Sequence, residues 1–290
     1  MFQGSFVALV TPFKNGKIDE DALKNLIEFQ ISNGTNGIVP CGTTGESATL
    51  SIEEHNQVVD VAVGAVNGRI PVIAGAGSNS TGEAIKMTRH AKDAGANAAL
   101  LITPYYNKPS QEGLYQHFKK IAEDVDIPII VYNVPGRTSV NMLPATTARL
   151  SEIKNIVGIK EATGNLQQVS ETIKLCGENF SVISGDDANI LPIMAAGGKG
   201  VISVTANIAP DKIAALCKAC LDGNFSEARK LHYELLDLNN SMFIETNPVP
   251  VKTTLSLMGK VTGELRLPLT PMNNENLSKL KNLLKKSGII

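Results

Sequence analysis

The sequence predicts an α/β protein, a (β/α)8 TIM barrel with a C-terminal helical appendage. Three observations carry that expectation. Eight strand-like runs alternate with amphipathic helical patterns through most of the 290 residues. The strand runs are continuously apolar, as parallel strands covered on both faces are. Several helical patterns end on glycine just before the next strand, the signal of a C-cap followed by a short αβ loop.

The chain enters a strand at once in FVALVTPF (6–13). GIVPCG (37–42), PVIAGAG (71–77) and AALLITPYY (98–106) follow. IPIIVYNVP (127–135), IVGIKEA (156–162), FSVISG (180–185) and GVISVT (200–205) complete the set. Between them lie segments such as 19–34, 51–66, 81–95 and 111–125, whose apolar positions recur at helical spacing. An open doubly wound sheet satisfies the same alternation. The number of strands, and a length near the roughly 250 residues typical of a closed barrel, favour the barrel. Beyond residue 210 only helical patterns remain. The first closes the barrel and the others form the appendage, dividing the chain into a 1–224 barrel and a 225–290 helical subdomain.

Composition narrows the class of function. The chain is 43% hydrophobic and 19% charged with a formal net charge of −1, and no basic run suggests a nucleic-acid partner. No apolar stretch has the length of a membrane helix, and the N-terminus lacks the basic region of a signal peptide. Cys41, Cys176, Cys217 and Cys220 are scattered, which points to a reducing, cytoplasmic setting. Cys217 and Cys220 form C-x-x-C inside a helical pattern and are expected to be two small buried residues. The lysines of LSKLKNLLKKSGII are expected on the solvated face of a short terminal helix.

In such a barrel, reactive groups collect at the C-terminal ends of the strands. GAGSNS (75–80) imitates a dinucleotide fingerprint, but Ser80 stands where the third glycine belongs and no acidic ribose partner ends the next strand. It reads as a tight turn. CGTTGES (41–47) lets Thr43 and Thr44 present hydroxyls and N–H groups together, a nest for a small carboxylate or phosphate, or else an ordinary turn capping the next helix. In YNVPGRT (132–138), Tyr132 shares a strand face with Ile130 and points inward, with Ile129 and Val131 on the helices. Arg137 follows in the loop, suited to clamp an anion.

NIVGIKEATG (155–164) raises the central question. Strict alternation puts Ile156, Gly158 and Lys160 on the inner face and Val157 and Ile159 on the outer one. A buried lysine is rare unless it is paired or used. Lys160 is either a strand-end ion pair or an amine whose pKa desolvation lowers, free to attack a carbonyl and form a Schiff base. His55, His90, His117 and His232 show no zinc-type spacing, so neither metal nor cofactor is expected.

Taken as a set, GTTGES, TPYYNKPSQEG, YNVPGRT, GIKEATGN and SGDDA resemble the dihydrodipicolinate synthase family, class I Schiff-base pyruvate lyases on a (β/α)8 barrel. The likeness extends through NPVPVK and LRLPLTP, essentially the whole chain. It implies condensation of pyruvate with L-aspartate 4-semialdehyde in lysine (diaminopimelate) biosynthesis. It also implies that Lys160 forms the imine, Tyr132 shuttles protons, and Thr43 with Tyr106 relays them, the tyrosine reaching in from a neighbouring subunit. Thr43 and Thr44 match the pyruvate-carboxylate site, Arg137 the semialdehyde clamp, and Gly185 and Ile202 backbone positions lining the pocket. Members are usually homotetramers, dimers of dimers. Lysine-regulated relatives bind lysine at a cleft matching Ser47, Ala48, His55, Asn79, Glu83 and Tyr105, with Ile52 here where some carry histidine.

Two other readings compete. A sister lyase would cleave N-acetylneuraminate or a 2-keto-3-deoxy sugar acid with the same lysine, but such sisters generally lack the arginine matching Arg137. A ligand-binding regulator on the same barrel would not be expected to keep every catalytic position.

Overall fold

The computed structural model describes residues 2–290. Its strands are β1 Gly4–Ala8, β2 Phe13–Lys14, β3 Lys17–Ile18, β4 Gly37–Val39, β5 Ile73–Gly75, β6 Ala98–Ile102, β7 Ile129–Asn133, β8 Ile156–Glu161, β9 Ser181–Ser184 and β10 Gly200–Ser203. The helices begin with α1 Glu20–Ser32, α2 Ile52–Val66, α3 Thr81–Asp93, α4 Gln111–Asp124, α5 Pro135–Thr138 and α6 Pro144–Ser151. They continue as α7 Leu166–Cys176, α8 Ile190–Ala195, α9 Pro210–Leu221, α10 Phe225–Ser241, α11 Val249–Leu257 and α12 Asn274–Lys286.

Eight strands form one parallel sheet in the order β4-β1-β10-β9-β8-β7-β6-β5, and a parallel bridge between Ile38 and Val72 joins its two ends. The ring is therefore the expected barrel. The first predicted strand is too long by its second half: β1 stops at Ala8, and Phe13 opens a small antiparallel hairpin of β2 and β3. Pro12, which has no N–H to give a ladder, stands between the two. The helix starts follow local chemistry. Ser51 and Glu54 form a reciprocal capping box on α2, and Ser80, Ser110 and Asn165 each accept a backbone N–H at the start of α3, α4 and α7.

Side-chain alternation sorts the strands into two layers. Phe6, Ala8, Val39, Ile73, Leu100, Ile130, Tyr132 and Ile202 fill the barrel interior. Ile129, Val131 and Ile159 face outward into a cluster with Leu114, Phe118 and Ile121 of α4, where each contributes roughly 1.5–3 kcal/mol by burial. A further core cluster runs from α1, α2 and α9 into α10, α11 and α12. Cys217 and Cys220 are buried free thiols in α9, held protonated by burial. Leu280 and Leu284 anchor α12 while its lysines stay outside. No helix among the described residues is long and apolar enough to cross a membrane.

Strict alternation fails at one place. Val157 packs with the barrel interior and Ile156 with the outer cluster, the reverse of the expected faces. The cause is a register shift: Ile129 pairs with Ile156 but Ile130 pairs with Gly158, so β8 spends one extra residue there. On the other side of β8 the approach to β9 is close, and a Cβ at Gly158 would meet the Ser181 carbonyl oxygen at 2.6 Å. Beyond the bulge the alternation resumes with Gly158, and Lys160 points inward as expected.

Candidate active site

The register that follows the bulge sets the site. Tyr132 pairs directly with Lys160 across β7 and β8, and Lys160 with Ile183 of β9. Both polar side chains therefore enter the barrel mouth side by side, with the Lys160 Nζ 4.3 Å from the centre of the Tyr132 ring. Room for the lysine stem comes from Gly185, where a Cβ would lie 3.0 Å from the Lys160 Cε and 2.7 Å from the Ala162 Cβ.

Lys160 is 6% exposed and makes no ion pair within 4.0 Å among the described residues. Burial lowers its pKa to about 8; the Arg137 charge pushes the same way, and the Asp187 carboxylate pulls against both. Roughly a tenth of such amines are free at pH 7, several hundred times the fraction for an ordinary lysine. Tyr132 is held above the usual phenol range by burial, with the Arg137 charge and the Thr43 hydroxyl opposing that shift. It is thus a proton donor at neutral pH.

A cavity of about 360 Å³ opens over these groups, within the size range of small-molecule sites. Thr43, Thr44, Tyr132, Arg137, Lys160 and Gly185 all line it. Thr43 and Thr44 sit on a tightly wound loop in which Gly45 donates to the Gly42 carbonyl and Glu46 to the Thr43 carbonyl, both at 3.1 Å. Cys41 and Glu46 flank the loop at φ 56° and 53°, left-handed conformations that cost ~1–2 kcal/mol each. Thr43 and Tyr132 also line a smaller space of about 40 Å³ that reaches Ser47 and Gly77.

Arg137 is presented by the four-residue α5, opened by Pro135. Its Nη2 donates to the Asn247 carbonyl at 3.2 Å, and the Asn247 side-chain amide donates to the Thr44 Oγ1 at 3.0 Å. Asn247 thus joins the two expected carboxylate sites. Sequence reasoning gave it no role, although NPVPVK contains it. Asn239 and Asn240 of α10 and Phe243, which like Asn247 lies between α10 and α11, line the same cavity and were missed. Asp187 of the SGDDA motif was missed too. It is buried, and its Oδ2 accepts the N–H groups of Val204 and Thr205 at 2.9 and 3.2 Å.

Two expected residues do not line this cavity. Ile202 lies in the interior layer, and Val204 lines the wall two residues further on. Tyr106 is 90% exposed at φ 71°, outside the cavity of its own chain. The six residues matched to a lysine cleft fall on three segments, 47–55, 79–83 and residue 105, with His55 in α2 and Glu83 in α3. Asn79 Nδ2 donates to the Tyr105 carbonyl at 3.2 Å, and Ser78 Oγ to a Glu83 carboxylate oxygen at 2.8 Å. Ser47 borders the smaller space, Ala48 is exposed, and His55 is buried with its Nε2 against the Gly75 carbonyl at 2.7 Å. The GAGSNS turn is explained by packing, since a Cβ at Gly77 would lie 2.4 Å from the Ile102 nitrogen.

The dihydrodipicolinate synthetase family model matches residues 1–287. A 4-hydroxy-tetrahydrodipicolinate synthase of Citrifermentans bemidjiense is 63% identical over 290 residues, covering all of both chains. The crystal structure of dihydrodipicolinate synthase from Aquifex aeolicus superimposes with a TM-score of 0.98 at 55% identity, covering 99% of each chain. The chloride-inhibited enzyme from Acinetobacter baumannii, complexed with pyruvate, superimposes with a TM-score of 0.98 at 50% identity over all of both chains.

Proposed function

The chain belongs to the dihydrodipicolinate synthetase family, and from that premise we propose how its cavity condenses pyruvate with L-aspartate 4-semialdehyde to 4-hydroxy-tetrahydrodipicolinate. The protein is a lyase of lysine biosynthesis. One observation carries the residue assignment: a buried Lys160 amine, without an ion-pair partner among the described residues, beside a protonated Tyr132.

The Lys160 amine attacks the pyruvate carbonyl, and water leaves to give a protonated imine, itself the electron sink. Loss of a methyl proton yields an enamine whose carbon attacks the aldehyde of the second substrate. The amino group of that substrate then displaces Lys160 from the imine carbon and closes the ring. Tyr132 delivers and accepts the protons, and Thr43 links it to solvent, with Tyr106 of a second copy completing the relay. Thr43 and Thr44 hold the pyruvate carboxylate, Arg137 holds that of the semialdehyde, and the backbone at Gly185 shapes the wall, with Ile202 in the layer beneath it.

This reading treats residues 1–224 as the catalytic barrel and 225–290 as an appendage that lends it Asn247. It places a homotetramer, built from dimers, in the cytoplasm. In it, free lysine binds between subunits at Ser47, Ala48, His55, Asn79, Glu83 and Tyr105. There Glu83 takes the ammonium group, and Ile52 in place of a hydrogen-bonding residue weakens inhibition. Arg137 disfavours the sugar-acid lyases.

The test is borohydride trapping with pyruvate, run beside a coupled semialdehyde assay and the sugar-acid lyase reactions. A reduced three-carbon adduct on Lys160 is expected, with turnover only in the semialdehyde assay. Adduct formation elsewhere, or turnover of a sugar acid alone, overturns the assignment.

A further inference from the structure

A second fully buried lysine lies behind the active-site loop. Lys252 of α11 is 0% exposed, and its Nζ donates to the Glu46 carboxylate at 2.5 Å and to the Glu264 carbonyl at 2.7 Å. The same ammonium sits 4.3 Å from the centre of the Phe13 ring. The other Glu46 oxygen accepts the Arg266 backbone N–H at 3.1 Å. The Arg266 guanidinium also lies 4.3 Å from the Phe13 ring centre, and donates twice to Glu54 and once each to the carbonyls of Thr49 and Gly16. The cluster thus ties the 41–49 and 13–16 stretches to α11 and the 264–266 segment.

Glu46 is the residue that ends the Thr43–Thr44 loop. It is held in the left-handed region at φ 53°, and its own N–H donates to the Thr43 carbonyl. A glutamate has no intrinsic reason to adopt that conformation. The loop's other ties are uncharged: Thr11 Oγ1 to the Gly45 carbonyl at 2.7 Å, Asn247 to Thr44, Cys41 Sγ to the His55 carbonyl, and Thr49, whose N–H and Oγ1 both donate to the Glu46 carbonyl. The charged tie that reaches the C-terminal helices is the Glu46 side chain buried against Lys252. Taking both charges from water is compensated only if each keeps its partner.

We propose that Glu46 and Lys252 are positioning residues, through which the C-terminal helices set the Thr43 and Thr44 hydroxyls against Lys160 and Tyr132. The proposal rests on the assignment of those threonines to the pyruvate carboxylate and the proton relay. Neither Glu46 nor Lys252 lines the cavity, so they act through the loop and not on substrate.

The measurement is the pyruvate KM and kcat of Lys252→Met, Glu46→Gln and the double variant, with borohydride trapping at saturating pyruvate to count competent sites. In Lys252→Met the pyruvate KM rises at least about tenfold, the size of one lost charged hydrogen bond, while the trapped fraction of sites stays near that of the parent. The double variant, which removes the charge left behind, recovers part of that rise. Glu46→Gln, nearly isosteric, moves the KM the same way by less, and decides the matter alone if Lys252→Met does not fold. An unchanged pyruvate KM overturns the proposal. So does a loss confined to the number of competent sites, or a double variant no better than Lys252→Met. Thr44→Val, run in parallel, separates the two readings. If it leaves the pyruvate KM unchanged, the assignment of Thr44 fails. If it raises the KM and the Glu46 and Lys252 variants do not, that assignment stands and the positioning proposal fails.

Discussion

Two lysines of this chain are buried to nearly the same degree and held in opposite surroundings. Lys160 is 6% exposed, has no carboxylate within ion-pair distance, and keeps a pKa lowered to about 8. Lys252 is 0% exposed and is matched by Glu46, a carbonyl and an aromatic face. Burial lowers the pKa of both, but around Lys252 the Glu46 charge and hydrogen bond oppose the shift. Depth alone does not mark a nucleophile. The absence of a neighbouring carboxylate does, because a carboxylate favours the ammonium form, whose lone pair is tied up in an N–H bond.

The comparison is tested hardest by activity. Lys160→Ala is expected to lower kcat by more than about 10⁴-fold, since among the described residues no other lysine lines the cavity, and mass spectrometry should find no pyruvate adduct. Next in size is stability at the other lysine. Lys252→Met leaves the Glu46 carboxylate buried without its cation and should cost ~3–5 kcal/mol in denaturant unfolding. Lys160→Met should do the reverse. Below pH 8 the parent carries a protonated Lys160 in both folded and unfolded states, and folding bears the desolvation, about 3 kcal/mol. As pH rises from about 8 toward 10.5 the folded chain loses that proton first and the cost fades. The variant is therefore the more stable protein at pH 7, and its advantage vanishes by the upper end of that window. A variant less stable than the parent at pH 7 would show that Lys160 is paired after all.

The smallest effect belongs to the half-exposed rim of the Lys252 cluster. Arg266 holds the Glu54 carboxyl at about 2, below the usual carboxylate range, through a two-pronged hydrogen bond. Arg266→Lys keeps the charge and loses the fork, and solvent screening limits the cost to about 1 kcal/mol. The contribution of Glu54 is fully present above pH 4.5 and is lost as pH falls toward 2, so the difference between parent and variant should shrink over that range.

Much of the site was legible because it depends on period-two alternation and on strand ends. Tyr132 and Lys160 face inward as that rule requires. Ile156 and Val157 do not, because their faces depend on the pairing of the next strand, which no local pattern encodes. Asn247, Lys252 and Arg266 escaped for another reason. They meet the 41–47 loop across 203 to 220 residues of chain, so their partners could not be read from spacing. Glu46 looked like one more polar residue in a turn, and only its partner reveals why it is buried. Tyr106 was singled out as a relay residue, yet its side chain stands in solvent, and its role requires a second copy of the chain.

The closure of the barrel between β4 and β5 has a consequence of its own. Elsewhere neighbouring strands share two to five paired positions, whereas here the ring is completed by the Ile38–Val72 bridge and by the backbone bonds Ile38 to Pro71 and Gly75 to Pro40, each 2.9 Å. A cylinder with one thin joint breathes there first, because local opening follows the fewest hydrogen bonds. The joint lies directly below the loop that carries Thr43 and Thr44. Amide hydrogens along 38–40 and 71–75 should exchange with deuterium sooner than those of β7 and β8, on the opposite wall that anchors Tyr132 and Lys160. The wall that holds Tyr132 and Lys160 is then the stiffer one, and the side that carries Thr43 and Thr44 is the one that yields first.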